Sequence, residues 1–326
     1  METIRRRIVS IPGLFFVAAL LLVTLPLWAV LGTLADAVRG RFRLPTVRLL
    51  AFGLCWAWLE SVGVAIAGFL WIAGRRRSER AHYWLMRWWA ARLMSALRLT
   101  TGIKVAQVDA ECLSPGPVVL LCRHASLADS LVSAWVITTR MGMQPRYVLK
   151  RELLADPCLD IVGNRLPQHF LDRNATDSDS ELEAVRKLSS GMKTNQLAVI
   201  FPEGTRASAK KRARALVKIA ERDPARAARL AGLQHLLPVR PAGSAALIEG
   251  SPEADIVIGW HVGFEGLDTF GGILRHLART PRPIRFRARR IARNEVPSGE
   301  AFTRWLDDEW LKTDRAVDEL LKVDAS

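Results

Sequence analysis

With 326 residues, half of them apolar, the chain has ample material for a real core and for one large or two ordinary domains. Its net charge of +15 calls for an anionic partner, whether nucleic acid, lipid headgroup or phosphorylated substrate. The four cysteines (Cys55, Cys112, Cys122, Cys158) form no C-x-x-C pair, which argues against a disulfide framework or a zinc site and for reduced thiols.

The apolar excess is concentrated at the N-terminus. No charged residue lies between Arg7 and Asp36, so 8–35 is long enough for a hydrocarbon core, which takes about 20 residues. Pro12 and Pro26 permit a kink there. A second apolar segment, 49–74, is interrupted only by Glu60. The first is too long for a signal peptide and is followed by another, so the pair reads as a membrane-anchoring helical hairpin. Arg5–Arg7 and Arg75–Arg77 flank the pair and point to a cytoplasmic placement for both ends. The connection carries Arg39, Arg41, Arg43 and Arg48, which leaves a hairpin dipping into one leaflet as the other geometry. Residues 80–99 form an amphipathic helix with Trp84, Trp88 and Trp89, suited to the membrane interface or to packing on the globular part. The chain thus divides at about residue 100 into an anchor, 1–99, and a globular domain, 100–326. The Ala/Arg bias suggests a GC-rich bacterium and hence its inner membrane.

From Gly102 onward, apolar runs at 103–108, 117–122, 146–150, 197–201, 235–240, 255–262 and 284–291 read as strands. Helical patterns near 127–140, 180–195, 207–231 and 299–323 separate or follow them. That alternation predicts an α/β domain, a mixed sheet flanked by helices. In 284–291, Ile284, Phe286 and Ala288 share one face and Arg285, Arg287 and Arg289 the other, as in a half-buried strand.

Four segments carry the chemistry. His124-Ala-Ser-Leu-Ala-Asp129 follows an apolar strand. There the Asp can orient one ring nitrogen while the other takes a proton, work suited to imidazole with its reference pKa of about 6.5. That spacing also arises by chance and does not define a site alone. Phe201-Pro-Glu-Gly-Thr-Arg206 follows another strand. Gly204 permits a tight turn, Thr205 offers a hydroxyl and Arg206 a planar cation, a set that suits phosphate or carboxylate. Gly163 through Phe170-Leu-Asp-Arg173 and Leu237-Pro238-Val239 complete the set, with Lys150-Arg-Glu-Leu153 between the first and third.

In that order, over about residues 100–260, these motifs resemble the glycerophospholipid acyltransferases typified by 1-acyl-sn-glycerol-3-phosphate acyltransferase. The resemblance implies transfer of a fatty acyl group from acyl-CoA or acyl carrier protein to a lysophospholipid hydroxyl. It implies His124 as general base, Asp129 as its orienting partner, and Glu203, Gly204, Thr205 and Arg206 as the acceptor's phosphate segment, with Lys150 and Arg173 as basic positions nearby. No metal and no cofactor is implied, since a thioester is already a reactive donor. The expected partners are the bilayer, the lysophospholipid and the acyl thioester, with nucleic acid excluded because few aromatics interleave with the basic runs. Family members often have Asn before the His; here it is Arg123, a second cation able to act on the base or bind donor phosphates. The tail Phe302-Thr-Arg-Trp305 to Lys312 is similar to lysophosphatidylinositol and lysocardiolipin acyltransferases, so remodelling of such lipids is an alternative activity. A non-enzymatic module binding anionic lipid is a further one. On the acyltransferase reading, the basic stretches 206–229 and 275–293 would face anionic lipid or the phosphates of coenzyme A.

Overall fold

The computed structural model describes residues 2–172, 178–267 and 269–323. Four helices come first: α1 (Glu2–Val23), α2 (Leu25–Val38), α3 (Pro45–Ile72) and α4 (Glu79–Thr101). Strands and helices then alternate as β1 (Val105–Asp109), β2 (Val118–Cys122), α5 (Asp129–Trp135), β3 (Gln144–Lys150), α6 (Pro157–Gly163) and β4 (His169–Leu171). They continue as α7 (Ser178–Ser189), β5 (Gln196–Ile200), α8 (Ala209–Ala220), α9 (Pro224–Leu230), α10 (Pro241–Gly250) and β6 (Asp255–Val262). The last elements are α11 (Phe270–Leu277), β7 (Ile284–Ile291) and α12 (Glu300–Val323).

The strands form one mixed sheet in the order β1-β7-β6-β2-β5-β3-β4, in which only β6 and β7 run antiparallel. Its centre, β2 and β5, is buried at every residue, which is why those runs are continuously apolar rather than alternating. One core lies between the sheet and α7, α10 and α12; the other lies between the sheet and α4, α5 and α11. As a result β2, β3, β4 and β5 end at one common edge of the sheet.

Several boundaries follow local chemistry. Ser78 accepts from Ala81 N to cap α4, and Gly102, at φ +69°, ends it. Pro224 opens α9, so the predicted helix over 207–231 is two helices. The predicted strand at 235–240 is not one. The amides of Gln234, His235 and Leu236 donate to Asp314, and that of Leu237 to Glu203, so carboxylates satisfy them in place of a neighbouring strand. Strand β4 and helices α6, α10 and α11 are too short or too mixed in pattern to have been read in advance.

Helices α3 and α4 belong to the body of the protein. Leu85, Ala90, Leu93 and Leu97 of α4 are buried, so its apolar face serves the core, while Trp84 stays exposed. Of the two placements the sequence left open for 80–99, packing on the globular part accounts for this buried face. Gly63 lets α3 lie against α6: a Cβ there would sit 2.6 Å from Cys158 Sγ. Near one end of α3, Arg48 donates to the carbonyls of Thr100, Thr101 and Leu277; near the other, Ala67 O accepts from Arg165 at 2.9 Å. Helix α1 is held by Arg6 and Arg7, which pair with the buried Asp160 of α6 at 2.9 and 2.8 Å. Two helices, 3–23 and 45–72, are long and apolar enough to cross a membrane.

Candidate active site

His124 lies in the loop leaving β2, and Asp129 opens α5. The loop is drawn tight because Asp129 Oδ2 accepts from the amides of Ala125 and Ser126, while Oδ1 accepts from Ser126 Oγ. In that position Oδ2 meets His124 Nδ1 at 2.8 Å. Asp129 is fully buried and His124 is partly open, so Nε2 is left for the cleft. Burial alone would raise the Asp129 carboxyl. The charge and hydrogen bond of His261 and the hydrogen bond of His124 outweigh it and hold the group far below the usual carboxylate range.

The second motif meets the first. Ala207 N donates to His124 O at 2.8 Å, the Phe201 ring lies 5.0 Å from the His124 ring, and Glu203 Oε1 accepts from His124 N at 2.7 Å. Glu203 Oε2 accepts from Leu237 N at 2.8 Å. This buried side chain therefore braces three loops. Its expected contact with the acceptor does not fit, because both oxygens are already engaged by backbone amides inside the protein. Burial pushes its carboxyl up to about 8, against the opposing pull of those two amides.

Gly204 takes the left-handed turn at φ +72°, as expected of glycine. Thr205 Oγ1 accepts from Lys211 Nζ at 3.3 Å, and the same ammonium donates to Arg206 O at 3.0 Å. Lys211, from the first turn of α8, thus adds a cation that the motif itself does not contain. Lys150 ends β3 at the same edge of the sheet. Arg173 lies outside the described residues.

Arg123 turns away from the base. Its guanidinium is buried and donates to the carbonyl of His261 and to Glu265 Oε1, the latter at 3.2 Å, so it is not open to donor phosphates. His261, at the end of β6, places Nε2 3.1 Å from Asp129 Oδ1. Sequence reasoning missed it, although it closes an apolar strand just as the segment before His124 does. Cys122, at the end of β2, is fully buried and burial pushes its thiol up, which leaves it unfit as a nucleophile.

The basic stretches divide. Arg226 and Arg229 pair with Asp307, Arg289 with Glu309, and Arg290 with Asp255, so these four arginines are engaged by carboxylates of the fold. Lys210, Arg214 and Lys218 of α8, at four-residue spacing, remain exposed. Beside the loop is a cavity of about 910 Å³ with an almost wholly apolar lining. Leu127, Ala128 and Leu131 form the wall next to the His–Asp pair, and Phe52, Trp56 and Leu93 come from α3 and α4.

Residues 104–239 match the family described as Acyltransferase. Among solved structures, the chain is similar to the 1-acyl-sn-glycerophosphate (LPA) acyltransferase PlsC from Thermotoga maritima. The TM-score is 0.55 at 18% identity, covering 85% of this chain and 97% of that one. No curated protein matches the sequence at a significant level. The matched stretch contains His124, Asp129 and the Phe201–Arg206 turn, and the mixed sheet with its flanking helices is similar in fold to PlsC. The chain thus carries a stretch that matches the Acyltransferase family, set in a fold similar to that of PlsC.

Proposed function

We propose that the chain transfers a fatty acyl group from a CoA or acyl-carrier-protein thioester to the free hydroxyl of 1-acyl-sn-glycerol 3-phosphate, giving phosphatidic acid. The observation that carries this reading is the convergence of three features. An oriented imidazole, a cationic glycine turn and a large apolar cavity meet at one edge of the sheet. His124 Nε2 takes the hydroxyl proton as the oxygen attacks the thioester carbonyl. The new C–O bond forms, the C–S bond breaks, and the thiolate leaves with the proton that His124 carried. Asp129 holds Nδ1 and favours the imidazolium that forms in between. Arg206, Lys211 and the Gly204 turn receive the acceptor's phosphate, with Lys150 and Arg173 as further cations. The cavity is of a size usual for ligand sites, about 300–1,000 Å³, and its lining suits a hydrocarbon chain. The reaction as written needs no metal and no cofactor besides the thioester.

Membrane attachment is part of the proposal. Phe15, Phe16, Leu20, Leu27, Val30 and Leu31 of α1 and α2 are exposed, a larger apolar surface than water tolerates well. Because α3 is tied to the body near both ends, a hairpin lying in one leaflet accounts for the anchor with the site held at the cytoplasmic face of the inner membrane. The purified protein, given labelled acyl-CoA or acyl carrier protein and a panel of lysophospholipids, should form phosphatidic acid fastest. A product bearing inositol or a second phosphatidyl group would move the assignment to lipid remodelling. Acylation of none of the panel would overturn it.

A further inference from the structure

We propose that His261 is a positioning residue for acyl transfer, the second imidazole on Asp129 that aims its carboxylate at His124. The proposal rests on His124 acting as the base. A carboxylate can turn about its Cβ–Cγ bond, and only one orientation puts Oδ2 in line with His124 Nδ1. Loop amides and His124 hold Oδ2. On the other oxygen, Ser126 Oγ is joined by His261 Nε2 at 3.1 Å, arriving from a different strand.

His261 is well placed to stay rigid. It is 1% exposed, its ring lies 5.7 Å edge-on from Phe264, and its backbone is paired with Phe286 of β7. Arg123 clamps its carbonyl, and Glu265 in turn accepts from Arg123 and from Gly263 N. Burying this imidazole is unfavourable in itself, because neither Nδ1 nor Nε2 makes an aligned hydrogen bond among the described residues, and Nε2 meets Asp129 Oδ1 at 3.1 Å as a close polar contact. An apolar side chain would fill the space at lower cost to stability. What the histidine adds is a polar ring nitrogen 3.1 Å from the carboxylate of the site.

Glutamine and methionine have nearly the same shape, but only glutamine can present an N–H where Nε2 stands. His261→Met should lower kcat about tenfold, as expected for one polar contact to a charged group that tightens in the transition state. The KM values for both substrates should stay within about twofold, since neither substrate touches the residue. His261→Gln should recover most of the lost rate. In an Asp129→Asn background the methionine substitution should add little further loss, as residues acting as a unit are not additive. A folded His261→Met enzyme with normal kcat would overturn the proposal, and so would equal impairment of the Gln and Met variants. If the methionine variant does not fold, the glutamine variant decides: near-normal kcat supports the proposal, and a folded enzyme as slow as His124→Ala refutes it. His124→Ala is the control for the underlying reading. Activity retained there removes the base itself, whereas an inactive His124→Ala beside a normal His261→Met removes only this inference.

Discussion

Asp129 at the sheet edge and Asp314 in α12 are both buried carboxylates that gather the amides of a neighbouring loop. Asp314 accepts from Gln234, His235 and Leu236 at 2.7 to 2.8 Å. Asp129 accepts from Ala125 and Ser126 but also pairs with His124, which is partly open to the cleft, and lies 3.1 Å from a second imidazole, His261. Amides cannot change protonation, so the Asp314 cradle can only hold its loop in place. An imidazole can, so on the proposed mechanism the Asp129 cradle also governs where a proton is taken up. The same device serves architecture in one region and, on the proposed mechanism, chemistry in the other, and the identity of the partners separates them.

Four experiments sharpen or break that contrast. The largest effect is expected for His124→Ala, with kcat down about 10²- to 10⁴-fold and an unchanged circular dichroism spectrum, because a general base contributes on that scale. Asp314→Ala should do the reverse. Three amides lose a charged acceptor, lowering unfolding stability in a urea titration by about 3 kcal/mol or more, with normal kcat in the folded enzyme. A comparable loss of kcat in that variant would erase the distinction. Arg206→Ala should raise KM for a phosphate-bearing acceptor about tenfold while kcat changes little, in line with a lost charge-assisted contact. An unchanged KM would remove phosphate from that turn.

The smallest effect concerns pH and Glu203. Its folded carboxyl is raised to about 8 from an ordinary 4.5, so the folded state holds a proton that the unfolded chain releases. That contribution to stability is fully present below about 4.5 and is lost as pH rises toward about 8. Asp129 runs the other way: its depressed carboxyl contributes above its unfolded pKa and fails only in strong acid. Melting temperature should therefore decline across pH 5 to 8 in the wild type and decline less steeply in Glu203→Gln. Parallel curves would show that Glu203 is ionised throughout.

Much of the candidate site's geometry was legible in advance because its residues sit at the ends of apolar strands. A parallel sheet delivers such positions to one edge, which is where α/β proteins bind ligands. His124, Asp129 and the Phe201–Arg206 turn could be placed on that logic. Glu203 could not be read correctly, since whether a carboxylate faces a ligand or a backbone amide depends on the loop opposite. The 284–291 strand was legible in its alternation, but the pairing of Arg289 with Glu309 and Arg290 with Asp255 was not. Those partners are brought alongside only by α12 and the antiparallel turn of β7 against β6.

By itself the sequence determined the apolar N-terminal helices, the buried centre of the sheet and the motif residues at its edge, because these depend on hydrophobic runs and local turn chemistry. The tertiary structure alone decided that α4 packs inward, that 235–240 is held by carboxylates rather than by strands, and that His261 joins Asp129. Each of these depends on which groups far apart in the chain come within a few ångströms. Periodicity and spacing record a residue's near neighbours along the backbone, whereas those meetings are set by how the layers close on one another.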